Sequence, residues 1–134
     1  MQLQKIETKI CELREQKVML DFDLSEMYEV ENRALKQGVK RNIDRFPNDF
    51  MFQLAKTEWQ ELITICDKLP ETVKYSPATP FAFTEQGIAM LSSVLKSKKA
   101  LQVNIAIMRA FVFIRQYALT HKDLTNKLKE LETR

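Results

Sequence analysis

Arg33, Lys36, Gln37 and Lys40 have the chemistry and the spacing to read a nucleic-acid surface. On a helix at ~100° per residue they fall within one stripe about 100° wide. Leu35, Val39 and Ile43 form a separate apolar stripe more than about 90° away. Such a helix turns one face to a core and offers a face of long donors to something else. Arg can bond guanine O6 and N7 in bidentate fashion, and Gln can do the same to adenine. Lys40, Arg41 and Arg45, nearer the helix end, suit phosphates.

A solvated helix face carries the same kind of stripe. What favours DNA is an abrupt change of sign along the chain. Residues 21–31 hold five acids (Asp21, Asp23, Glu26, Glu29, Glu31) and no base, while residues 32–45 hold five bases and one acid, Asp44. A second basic run, Lys96, Lys98, Lys99, Arg109 and Arg115, contains no acid. Lys98 and Lys99 sit where a helix N-terminus disfavours cations, which is easier to understand beside a phosphate, although a solubilising loop has the same composition.

Other reactive groups fit structural roles. Asp21 and Asp23 pair as possible metal ligands, but no His or further acid joins them at helical spacing, so N-capping is the better reading. Glu85 at a helix start is explained by the dipole without invoking a general base, and Gln86 could contact DNA or the first helix. His121 is the only histidine, and Cys11 and Cys66 lie far apart, so neither a zinc site nor a Ser/His triad can readily be assembled. No catalytic residue, metal or cofactor is expected. Trp59 and the phenylalanines hold periodic positions and read as core, not as a base-stacking platform.

The elements that must position the donor stripe follow from composition and pattern. A chain of 134 residues with 45% apolar and 29% charged residues has room for one compact domain. Only two Gly and four Pro point to a helix-rich fold, and the net charge of +3 says little as a sum. The N-terminus is charged throughout, and the apolar stretch 105–114 is broken by Arg109, so neither a signal peptide nor a membrane span is expected. The expected setting is soluble and cytoplasmic, with reduced thiols.

Residues 6–20 alternate as a short hairpin. A brief helix follows over 21–30, capped by Asp21 or Asp23, with Asp23 and Glu26 matching a capping box. A break at 29–32 leads to the donor helix, with Asn32 as its N-cap. Gly38 lies inside that helix at a cost of about 1 kcal/mol relative to Ala, which either permits close approach of a backbone or DNA or is simply tolerated. Residues 50–54 read as a strand, with Phe50, Phe52 and Leu54 on one face. Residues 57–65 read as a helix opened by Thr57 and Gln60, and 67–80 as a loop. Phe81–Phe83 is a short strand, Thr84 caps the next helix, and Ser97 caps a last one running almost to the end. Its seam, Ile107, Ala110, Ile114, Tyr117, His121, Leu124, Leu128 and Leu131, keeps 3-4 spacing. The fold class is thus α+β: mainly helical, with a helix-turn-helix-like pair, a small antiparallel sheet and a long C-terminal helix. Residues 1–117 form the domain, and 118–134 form a helical segment for dimerisation through Tyr117, His121, Leu124, Leu128 and Leu131. A protonated His121 on that seam would make such a dimer pH-sensitive.

Three blocks, VMLDFDLSEMYEVENRALKQGVKRNIDRFPNDFMFQL, PFAFTEQGIAMLSSVL and KALQVNIAIMRAFV, resemble the phage "open reading frame six N-terminal" DNA-binding domain family, related to the KilA-N group. The similarity covers roughly residues 6–117. The resemblance implies a DNA-binding module of prophages and mobile elements, often the N-terminal part of an antirepressor or regulator, with no catalytic site. The family's VKRN-x-x-RFP-x-DF block falls on Val39–Asn42, Arg45–Pro47, Asp49 and Phe50, and its FTEQG block on Phe83–Gly87. Glu15 and Glu29 stand where such sequences carry glycine, and a non-Gly residue in a left-handed turn costs about 1 kcal/mol. Ala55 replaces the usual capping Thr, with Thr57 expected to take over. The expected partners are double-stranded DNA and a second copy of the chain. The competing reading is a protein-interaction module that docks a repressor on its C-terminal helix.

Overall fold

The computed structural model describes residues 3–65, 69 and 78–132. Cys66 and most of the expected 67–80 loop, residues 67–68 and 70–77, lie outside the described residues. Helix α1 (Leu3–Glu7) precedes the hairpin, so the strands start later than the alternation from Ile6 suggests. Ile6 is fully buried from a helix, not from a strand. Strands β1 (Ile10–Leu13) and β2 (Gln16–Leu20) pair antiparallel with Leu13 opposite Gln16. That register leaves Arg14 and Glu15 as a two-residue turn with φ of 52° and 63°. Positive φ at both central positions gives the turn whose twist matches the strands.

Helix α2 (Asp21–Tyr28) begins directly after β2, with Leu20 at its N-cap and no side-chain cap. The expected Asp23–Glu26 capping box is therefore not formed, because the helix starts two residues before Asp23. At its end Glu29 takes φ 60°, ψ 41°, its N–H donates to the Glu26 carbonyl, and the Val30 N–H donates to Ser25 O at 3.0 Å. This is a Schellman turn with a glutamate in the place glycine prefers. Helix α3 (Asn32–Arg41) follows, with Glu31 and not Asn32 at the N-cap, and a one-turn 3-10 helix spans Ile43–Arg45.

Both left-handed glutamates carry strain that glycine lacks. Glu15→Gly and Glu29→Gly are each expected to stabilise the fold by roughly 0.5–1 kcal/mol. The exposed Glu29–Lys99 pair lost in the second variant contributes little. Urea midpoints measure this: both should rise, and a fall in both would show that the turns are not strained.

Strands β3 (Met51–Gln53) and β4 (Phe81–Thr84) complete an antiparallel sheet of order β1-β2-β4-β3. Its two faces separate by the period of two. Met19, Met51, Phe81 and Phe83 point into the main core with Leu24, Leu35, Val39, Phe46, Ile88 and Ile107. Val18, Leu20, Phe52 and Ala82 point the other way, onto Leu54 and the Trp59 of helix α4 (Lys56–Ile65). Trp59 is core, as expected. Helix α4 begins before Thr57: Ala55 N–H donates to Glu58 Oε1 at 2.8 Å, and Trp59 N–H to Ala55 O at 3.0 Å. Glu58 thus closes the first turn although Ala55 offers no side-chain cap.

Helix α5 (Glu85–Val94) leaves β4 without a linker, and Thr84 Oγ1 caps it by accepting the Gly87 N–H at 3.4 Å. Ser97 Oγ likewise accepts the Ala100 N–H at 3.1 Å at the start of α6 (Lys98–Glu132). A buried polar chain ties three helices together. The Tyr28 hydroxyl donates to Asn104 Oδ1, and Asn104 Nδ2 donates to Ile88 O at 2.9 Å. Burial pushes the Tyr28 hydroxyl above its ordinary pKa, which keeps it a donor. Val103, Ile107, Ala110 and Phe111 of α6 are buried, whereas every residue from Arg115 to Leu131 is exposed.

Candidate nucleic-acid interface

Helix α3 is seated by Leu35 and Val39, both fully buried. On its far side Arg33, Ala34, Gln37, Lys40 and Arg41 are exposed. Among the described residues, the side chains of Arg33, Gln37, Lys40 and Arg41 have no hydrogen bond or ion pair. Three long cations and an amide therefore stand free on one face of a helix whose other face is locked in the core.

Lys36 is turned away from that face. Its Nζ lies 3.4 Å from Asp21 Oδ2 and 5.2 Å from the centroid of the Phe81 ring, with the side chain only 19% exposed. Asp21, itself buried, also accepts the Phe81 N–H at 2.8 Å and Asn32 Nδ2 at 3.1 Å. Asp21 is thus not the cap but the joint between α2, α3 and β4, and Asn32 serves it instead of capping α3. Asp23 pairs with Lys9 at 3.7 Å, and burial pushes its carboxyl up to about 6 against the pull of that lysine.

Helix α3 ends at Arg41, earlier than the periodicity suggests. Ile43 consequently leaves the apolar stripe and is 52% exposed, and Phe46 occupies the core instead. Arg45 lies on the 3-10 turn and donates to Ser93 Oγ at 3.0 Å. A Cβ on Gly38 would lie 3.2 Å from Val94 Cγ1, so this glycine seats α3 against α5. These two contacts lay the end of α5 along the flank of α3. Lys96 and Lys98 follow immediately, exposed and without partners among the described residues. Lys99 is 3.7 Å from Glu29, and Arg115 pairs with Glu85. Two of the five bases in the second basic run therefore meet acids from elsewhere in the chain, which linear spacing did not show.

Tyr117, His121, Leu124, Leu128 and Leu131 all lie on the exposed part of α6. The Tyr117 and His121 rings stack at 6.2 Å with planes 6° apart. Phe113, expected in the core with the other phenylalanines, is exposed. Among the described residues, no three His, Cys, Asp or Glu side chains gather to hold a metal ion, and no helix is long and apolar enough to cross a membrane.

No curated protein and no solved structure matches the chain. A family model does: the ORF6N domain covers residues 8–94, from just before β1 to the end of α5, and so includes the α2–α3 pair, the whole sheet and the Thr84-capped helix. By that match the chain belongs to the ORF6N domain family.

Proposed function

We propose that the protein is a sequence-specific, double-stranded DNA-binding regulator of phage or prophage origin, a transcriptional regulator or antirepressor without catalytic activity, working in the cytoplasm as a homodimer. The observation that carries this reading is the unpartnered donor face of α3. A short helix, a tight turn and a second helix bearing such a face is the layout that enters a major groove. Arg33, Gln37 and Lys40 approach base edges, while Arg41, Arg45, Lys96 and Lys98 approach phosphates. Lys36 holds α3 in place through Asp21 and does not reach the DNA. Lys99 is drawn towards Glu29 and contributes less than Lys98.

Fluorescence anisotropy on a duplex across a salt series tests the reading. Neutralising roughly 4 to 5 phosphates per protomer gives a log-log slope of about −4. Arg41→Ala with Lys98→Ala should lower that slope by about 2 and leave the melting temperature unchanged. A flat salt response would refute the proposal.

The exposed Leu124, Leu128 and Leu131 favour one further reading, a repressor-docking module in which α6 is the working surface. Deleting residues 118–134 separates the two. Lost repressor binding with DNA affinity retained supports docking. Lost dimerisation with weakened DNA binding supports the dimeric regulator.

A further inference from the structure

Helix α6 carries a second apolar stripe on the side away from the core. Leu101, Ile105 and Val112 are 55%, 44% and 40% exposed, and Met108 lies half-buried between them. Together with the small Ala89 and Ser92 of α5 they line a groove of about 650 Å³. Single exposed apolar residues are ordinary, whereas a contiguous groove of them marks a contact surface. The stripe from Leu101 to Val112 runs about 16 Å, or three helical turns. That is the length over which an amphipathic helix presents anchors at i, i+4 and i+7.

Three features decide what fills it. Residues 95–122 contain no Asp or Glu, and Glu85, at the near end of α5, is held by Arg115. Arg109 lines the groove, exposed and without a partner among the described residues. The occupant must therefore bring its own anions. A second copy fits badly, because it brings a second Arg109 and no acid along this stripe, so pairing the stripe with itself leaves both guanidinium groups without a counter-ion. The chain's own tail is also on the wrong side. Leu124 and Leu128 lie about 130° round the helix from Ile105 and Val112, so pairing through the tail leaves the groove open.

We propose that the α5–α6 groove docks an amphipathic helix of another protein, about three turns long, with apolar side chains on Leu101, Ile105 and Val112 and a carboxylate against Arg109. The site is separate from the α3 face and does not depend on DNA binding.

The test uses the full chain and two labelled three-turn synthetic peptides with the same leucine face, one flanked by Glu and the other by Lys. By anisotropy, the Glu peptide should bind about tenfold more tightly than the Lys peptide. Arg109→Glu, a surface change, should reverse that preference, and Ile105→Glu should abolish binding of both while DNA affinity and melting temperature stay as in the wild type. Equal binding of the two peptides, no binding of the Glu peptide, or an unchanged preference in Arg109→Glu would overturn the proposal. So would a dimer that Ile105→Glu converts to monomer in sedimentation, since the groove would then be a contact between copies.

Discussion

Gly87→Ala is expected to destabilise the native fold severely. A Cβ at this position would lie 1.9 Å from Phe50 O and 2.8 Å from Phe50 C, both main-chain atoms. Neither can swing away as a side chain would. The Phe50 carbonyl also accepts the Thr84 N–H at 3.0 Å and the Thr84 hydroxyl at 3.2 Å, so displacing it breaks the junction where β4 becomes α5. Overpacking against a fixed backbone costs about 3 kcal/mol or more, a large part of the roughly 5–15 kcal/mol that holds a domain together. Circular-dichroism melts read this out directly, and a melting temperature within a few degrees of wild type would show that the β4–α5 junction can open without penalty. Gly38→Ala is the control. Its Cβ meets only Val94 Cγ1 at 3.2 Å, a half-buried side chain with room to adjust, and alanine returns about 1 kcal/mol of helix propensity. That variant should melt close to wild type.

The second large effect belongs to Asp21. Asp21→Ala removes the acceptor for Phe81 N–H and Asn32 Nδ2 and the counter-ion of Lys36 in one step. An orphaned main-chain donor and a half-buried ammonium together cost about 3 kcal/mol. Lys36→Ala should cost about 1 kcal/mol, because its side chain retains some contact with water. The double variant should be less damaged than the two single losses added, with a coupling of at least about 1 kcal/mol by urea denaturation. Strict additivity would show that the ion pair does not hold the two helices. Under the proposed function, DNA affinity should also fall in Asp21→Ala although Asp21 is far too buried to touch a duplex, since α3 loses the contact that sets its tilt.

The readable parts of the sequence were those decided by neighbours in the chain. Thr84 and Ser97 announce their helices because a cap acts within three residues. Glu15 and Glu29 could be placed in left-handed turns because a family resemblance puts glycine there and the turns are local. The parts that could not be read depend on distant partners. Asp21 looks like a cap until Phe81, sixty residues later, is known to donate to it. Lys36 shares its stripe with Arg33 and Gln37 on a bare helical wheel, and only Asp21 pulls it inward. Ile43 keeps the apolar period but falls beyond a helix end that the period does not mark. The basic run 96–115 was visible, whereas the acids that neutralise Lys99 and Arg115 come from α2 and α5. Met51 alternates with Phe52 and so lies on the opposite face of its strand, yet both are buried. One side packs on α4 and the other on the main core, an arrangement set by topology. Leu101, Ile105, Val112 and Phe113 carry the most instructive miss. Their spacing is visible in the sequence, but the eye assigns apolar helix residues to the core, and α6 has a core face already.

The single buried amide of Asn104 governs more than the packing around it. Its carbonyl end accepts from Tyr28 and its amino end donates to Ile88 O, so the two ends cannot be exchanged and α6 cannot slide by a residue without losing both bonds. A one-residue slip would turn the whole rod by about 100°. The angular phase of α6 is thus clocked near its N-terminal end and transmitted unchanged to Leu131, more than two dozen residues away. In any assembly built on the distal seam, the azimuth at which one α3 face stands relative to its mate is set at Asn104, so a conservative change at this one buried residue would misalign the pair.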